Sequence, residues 1–424
     1  MYKIYSSIFI VILTFIIIHF ISKKYKLNTN QKIIFWLMVF FWSGITIIRS
    51  YRKLYAITPE NYGGIGLSIV FATEITSAYG LISCFIRFPI FILSDILNRK
   101  KIFIQIALIF ITITSFITVF KPSYTSLYLS SVAMGICASM LCVFNVLFSE
   151  TFKKEQAIVS ASILSVAPLL AEFIAAPIQY VFTFNTYKNF KFLWLVSAII
   201  SSFALVLTFF VKDNFLLKKK FQISKIKKVI KTNNFIYICF IAVLISFIKF
   251  ASSGANMIAF SKTVLNMPAV FLAYIDVLFS FSQLIASVLV GTYFIKKFSI
   301  EKILILGLIS NLIFYIIILF SNNYLYAFFG YIFNGFGYGI GYTSVVSMSM
   351  QYFEKEDRNI SMGIFQAFFA LGVFFGDRVY MWILKLIPNG IFLLDVNKSI
   401  YLIIIVINIF SIILANFKVD KKII

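Results

Sequence analysis

The chain has 424 residues, of which 61% are hydrophobic, 19% aromatic and only 12% charged, yet its formal net charge is +23. A soluble protein carries about a quarter charged residues, so this composition excludes a cytosolic enzyme, a disordered tail and a nucleic-acid-binding domain, for which too little polar surface exists. Cys84, Cys137, Cys142, Cys239 and the single His19 all sit in apolar runs without ligand spacing, which argues against a disulfide framework, a metal or any cofactor.

Runs of about 20 apolar residues, the length that crosses a bilayer, fall in chain order at 4–21, 33–57, 66–93, 102–120, 124–148, 157–183, 191–211, 235–260, 269–295, 301–320, 324–350, 360–386 and 396–416. The first reads as a retained extra helix rather than a signal peptide. Lys3 is the only charge before it, and no small-x-small cleavage site follows in IIIHFISKK. Connectors are short except 212–234, KDNFLLKKKFQISKIKKVIKTNN, which divides the remaining spans into two sets of six. The expected fold is therefore all-α and polytopic. Residues 1–32 form an extra helix and basic loop, 33–211 a first bundle, 212–234 a basic linker, and 235–424 a second bundle with a basic tail. The alternating segments of an outer-membrane barrel are missing from the pattern.

The bases orient this arrangement. One set of alternate connectors holds 25 of the 38 Lys and Arg, and the opposite set holds 7. By the positive-inside rule the linker and the C-terminus face the cytoplasm of a cell-membrane protein. The remaining 6, Arg49, Arg52, Lys53, Arg87, Lys249 and Arg378, lie within spans.

The two halves share landmarks at an offset near 200 residues: Arg49 with Lys249, Glu74 with Asp276, Gly135 with Gly335, Glu155 with Glu356, Ser160 with Ser361, and Glu172 with Asp377. Between the second and third core spans, FILSDILNRKK supplies Asp95, Arg99 and Lys100. This segment resembles the G-x-x-x-D-x-x-G-R-K loop of the major facilitator superfamily of secondary transporters, with Phe91 and Asn98 in the glycine positions. A weaker second copy, GTYFIKKF, keeps Gly291, Lys296 and Lys297 but has Ile295 in place of the acid, and 353–376 is similar to the family's late loop and helix. The resemblance spans 33–416. It implies twelve core helices in two bundles that work by alternating access, with Asp95, Arg99 and Lys100 as a gating latch and the first helix of each half lining a central cavity.

An ionisable side chain within a membrane is costly and is a functional hypothesis by default. Arg49 and Lys249 are expected to act as a two-base clamp on an anionic solute, a carboxylate or sugar phosphate, similar to the paired bases of organic-phosphate antiporters in that superfamily. Arg52 and Lys53 offer alternative registers. The competing expectation is internal pairing, Arg49 with Glu74 and Lys249 with Asp276. Glu74, Glu172, Asp276 and Asp377 are candidate proton carriers, because burial raises a carboxylate's affinity for protons.

Asn145, Gln179, Asn256, Gln283, Tyr338, Tyr342 and Gln366 are polar positions that more often make helix–helix hydrogen bonds than ligand contacts; of these, Asn145, Gln283, Tyr338 and Tyr342 are the candidate solute contacts. NGFGYGIGY (334–342) reads as a close-packing surface, not a phosphate loop. Ser131 and Ala167-Pro168 replace the Arg and the Gly-Pro typical of proton-coupled drug exporters in the family. With no Walker motif and no catalytic constellation, the chain reads as a carrier rather than an enzyme. It would move a small organic anion by proton symport or anion exchange, as a monomer in the lipid bilayer. Export of drugs or cations, and a non-transporting receptor or scaffold on the same fold, are the alternatives.

Overall fold

The computed structural model describes residues 2–97, 99–152, 157–185, 188–212, 223–232, 234–351, 353, 355–392 and 394–416. Among these, helices and their connectors account for the whole architecture, without strand. In chain order the helices are α1 (Tyr2–Lys24), α2 (Thr29–Arg49), α3 (Arg52–Ile57), α4 (Ile69–Leu97), α5 (Lys100–Phe120), α6 (Tyr124–Ser149), α7 (Ala157–Thr183), α8 (Phe190–Phe210) and α9 (Ile223–Lys231). There follow α10 (Phe235–Ser252), α11 (Ala255–Thr263), α12 (Ala269–Leu289), α13 (Ile295–Lys297), α14 (Ile300–Phe320), α15 (Tyr324–Gln351), α16 (Lys355–Leu386) and α17 (Val396–Asn416).

Among the described residues, 12 helical segments are long and apolar enough to cross a membrane. The chain is a multi-pass membrane protein. Helix α15 is 28 residues long, but with its Gly-, Tyr- and Ser-rich sequence it is not among those 12.

Local chemistry sets several helix starts. At α2 the Asn28 side chain accepts from the Gln31 backbone while the Gln31 side chain accepts from the Asn28 backbone. Ser123 and Ser126 do the same at α6. Such reciprocal caps satisfy donors that the first turn otherwise leaves open.

The chain folds as two compact units: Met1–Lys220 with Pro268–Val277, and Phe221–Met267 with Leu278–Ile424. In the first unit α2 packs on α7 and α8, α4 on α6, and α5 on α6 and α8, while α1 lies along α7. In the second, α10 packs on α16, and α14 on α15 and α17. Within each unit one glycine contact recurs. A Cβ on Gly135 would stand 2.7 Å from the Tyr79 carbonyl and 3.0 Å from the Ile82 side chain. A Cβ on Gly335 would stand 2.3 Å from the Phe279 carbonyl and 2.2 Å from Ser282 Oγ. The three positions of each contact are about 200 residues apart. Small residues let helix backbones approach where lipid offers no hydrophobic drive between helices.

Gly337 against the Gly307 carbonyl and Gly339 against that of Gln283 extend this surface, so 334–342 is the packing run the sequence indicated. The cysteines are free, and all but the half-exposed Cys84 are buried.

The spans expected at 33–57 and 235–260 are present as Thr29–Ile57 and Phe235–Thr263, and each holds an interruption, after Arg49 and after Ser252.

Candidate functional site

In the first unit the interruption puts Arg49 at the last residue of α2, followed by Ser50 and Tyr51 before α3 begins. Arg49 Nη2 lies 2.7 Å from Glu172 Oε1, with 23% of the Arg side chain and 8% of the Glu side chain exposed. Arg49 therefore pairs with Glu172 of α7, not with Glu74. Spacing along the chain favoured Glu74, but the close packing of α7 on α2 decides the partner. Pro168 and Pro177 lie on either side of Glu172 within α7. Pro177 has no N–H for the carbonyl four residues earlier, so the helix is free to bend there.

Gln179, two residues on, donates to the Thr46 and Ile47 carbonyls at 3.2 and 3.1 Å. These are carbonyls of the last α2 turn, where helical partners run out. Ser50 donates to Asp276 Oδ2 in the α12 segment that belongs to this unit.

Arg52 and Lys53, the alternative registers, are both buried on α3. Arg52 donates to the Thr76 carbonyl at 3.1 Å, and its guanidinium lies over the Tyr79 ring at 5.1 Å. Glu74 is half-buried and accepts from the Tyr124 hydroxyl at 3.3 Å. Asn145 is exposed on α6.

The second unit repeats the interruption with different chemistry. Helix α10 ends at Ser252, and Gly254 at φ +56°, ψ −128° precedes α11. That backbone conformation is open only to glycine. Asn256 Nδ2 donates to the Phe250 carbonyl at 2.8 Å and to Asp377 Oδ1 of α16 at 3.3 Å. A side-chain amide thus serves the last turn of the broken helix in both units.

Lys249, one turn before the break, has its ammonium 4.6 Å from the Phe250 ring centroid, 5.6 Å from Phe279 and 4.4 Å from Tyr338. Three ring faces around a cation are an attractive electrostatic environment. Tyr338 stacks on Tyr342 at 5.7 Å, and the Tyr342 hydroxyl accepts from Gln366 Nε2 at 3.1 Å. Gln283 is half-buried on α12. Asp377 is buried, and its neighbour Arg378 lies over Phe374 at 5.8 Å.

Asp95 lies in α4, and its side chain is outside the described part of the structure. Arg99 is exposed at the start of α5. Lys100 is buried, and its ammonium meets Glu150 Oε1 of the α6 C-terminus at 3.0 Å. The loop's second base thus ties α5 to α6 within the first unit.

The structure brings together Arg49 and Glu172, Asp276 and Ser50, Asp377 and Asn256, and Tyr338 with Lys249. Sequence reading missed the helix breaks, the Arg49–Glu172 partnership and the rings of Phe250 and Phe279. Ser253-Gly254 was the one visible signal for a break. Nothing in SYRK announces the other.

A model of the Major Facilitator Superfamily matches residues 33–376 and, in a second match, 239–422. No curated protein matches the sequence. Among solved structures, a POT family transporter in complex with 5-aminolevulinic acid superposes with a TM-score of 0.74 at 11% identity, covering 91% of this chain and 94% of that one. The nucleoside transporter NupG gives 0.70 at 11% identity, over 91% and 100% of the two chains. The human organic anion transporter MFSD10 (TETRAN) gives 0.67 at 10% identity, over 92% and 100%. At these identities the likeness is one of fold.

Proposed function

Because the chain belongs to the major facilitator superfamily, we propose that it is a secondary transporter for a small organic anion, a carboxylate or sugar phosphate, coupled to proton symport or to anion exchange. The observation that carries this reading is the shielded Arg49–Glu172 pair beside the break between α2 and α3. An anion arriving at Arg49 competes with Glu172 for the guanidinium, whose fork suits carboxylate and phosphate oxygens. Displaced from its partner, the Glu172 carboxylate is a shielded and uncompensated charge, which costs several kcal/mol. Taking up a proton removes that cost. Solute and proton then occupy the protein together, and their release restores the ion pair. In exchange mode a second anion, rather than the carboxylate, replaces the first.

Lys249, at the corresponding place in the second unit, is the second candidate base. Gln283, Tyr338, Tyr342 and Asn145 contribute polar contacts. Asp377, on the helix equivalent to α7, is the second candidate proton carrier, with Glu74 and Asp276 as reserves. Asp95, Arg99 and Lys100 form the gating loop. The linker and C-terminus are assigned to the cytoplasmic side of the cell membrane on the bias of the bases.

A second reading has its own observation. The rings around Lys249 would also suit the ammonium group of a cationic solute, in line with an exporter of cationic or apolar compounds.

Thermal unfolding of the purified protein against sugars, sugar phosphates, carboxylates, amino acids and organic cations at fixed ionic strength separates the two. Stabilisation by an anion, lost in Arg49→Gln, supports anion transport. Stabilisation by cations alone overturns it in favour of the second reading.

A further inference from the structure

A cavity of about 420 Å³ opens in the first unit between α1, α2 and α8, away from the Arg49–Glu172 pair. Its walls are aromatic. Phe15 of α1 lies 5.5 Å from Trp36 of α2, Trp36 stacks on Phe40 at 5.6 Å, and Phe40 meets Phe203 of α8 edge-on at 4.9 Å. Leu207, one turn beyond Phe203, continues the apolar lining.

Charge stands at one edge of this almost wholly apolar lining. Lys32, one turn before Trp36, lines the cavity with its side chain exposed, beside Thr29 at the α2 N-terminus. The last turn of α1 carries the exposed Lys23 and Lys24, and the connector to α2 the exposed Lys26. The first acidic residue in the chain is Glu60, so no carboxylate from α1 or α2 offsets these bases.

From this juxtaposition we propose that the cavity is a binding groove for one anionic phospholipid, with an acyl chain against Phe15, Trp36, Phe40, Phe203 and Leu207 and the phosphate at Lys32. The charge at the rim selects the occupant. An apolar groove within a bilayer accepts any acyl chain, but Lys32 at its edge, with Lys23, Lys24 and Lys26 a few residues away in the chain, favours an anionic headgroup over a zwitterionic one. The α2 N-terminus beside Lys32 adds a favourable dipole. Helix α1 lies before the first residue of the family match and packs along α7. The groove is therefore built by a helix outside the superfamily core, and lipid held there would brace α1 against α2 and α8. The proposal is independent of which solute the protein moves.

Native mass spectrometry tests it. Full-length protein is equilibrated in mixed micelles with equal amounts of phosphatidylglycerol and phosphatidylcholine, then activated to strip loose lipid. The expected result is one retained phosphatidylglycerol per chain. Lys32→Glu, at an exposed position, is expected to reduce retention at least tenfold. Leu207→Trp, which fills the groove and leaves the bases in place, is expected to reduce it as strongly with an unchanged unfolding midpoint in lipid-free detergent. Equal retention of phosphatidylcholine, full retention by either variant, or equal binding of glycerol phosphate without acyl chains would overturn the proposal.

Discussion

The two units interrupt their first core helix at matching places and surround the adjacent base with different side chains. In the first unit Arg49 is met at 2.7 Å by the Glu172 carboxylate of α7. In the second, Lys249 lies among the rings of Phe250, Phe279 and Tyr338. The scaffolding is common to both: a side-chain amide on last-turn carbonyls, and, within each unit, a glycine pressed on a carbonyl 200 positions from its counterpart. The helix packing recurs in both units, while around the base a carboxylate stands close in the first and aromatic rings in the second. An ion pair is directional and gives way to a competing anion. A ring box is diffuse and favours positive charge wherever it stands within the box.

The largest effect should come from removing half of the ion pair. Glu172→Leu leaves Arg49 without its carboxylate and should cost about 3–5 kcal/mol of unfolding free energy. Adding Arg49→Met should recover most of that loss. Unfolding titrations of purified protein would read both, and equal stability of the single and double variants would show that the pair is not coupled.

The paired glycines come next. Gly335→Val should cost about 3 kcal/mol, near the top of the usual range for overpacking. Gly135→Val should cost less, because its added carbon stands 2.7 Å from the nearest atom rather than 2.2 Å. The reverse order in thermal unfolding would mean that the two contacts are not equivalent.

Gly254→Ala isolates backbone strain, since a Cβ there meets nothing within 4 Å. A destabilisation of about 1–2 kcal/mol follows from the backbone conformation alone, and an unchanged midpoint would remove the need for glycine at the break. Smallest is Tyr338→Leu, which takes one ring face from Lys249 and should cost about 1 kcal/mol. The same change removes a proposed polar contact and should weaken anion binding, which a repeat of the ligand screen would detect.

Much of this was legible in the sequence because bilayer physics writes long signals. Span lengths, the basic linker and the halves at an offset near 200 follow from hydropathy and charge, and Asp95, Arg99 and Lys100 carried the family resemblance. Of the site, the identities of Arg49, Glu172, Lys249 and Asp377 were legible as charges within apolar runs. Their partners were not. Arg49 and Glu172 are 123 residues apart, and which acid meets the base depends on how α7 packs on α2. The ring box escaped notice because Phe and Tyr make up so much of the chain that no single aromatic stands out. The break after Arg49 was hidden because Ser50 and Tyr51 keep near-helical backbone angles.

The most direct test of the central claim is uptake into liposomes holding the purified protein, with a labelled anion from the ligand screen and the outside made acidic or the inside preloaded with the same anion. The account predicts accumulation under one of these conditions, and a fall of about tenfold or more in Arg49→Gln, equivalent to about 1.4 kcal/mol of lost recognition. Undiminished uptake by Arg49→Gln, or uptake of cations in place of anions, would contradict it.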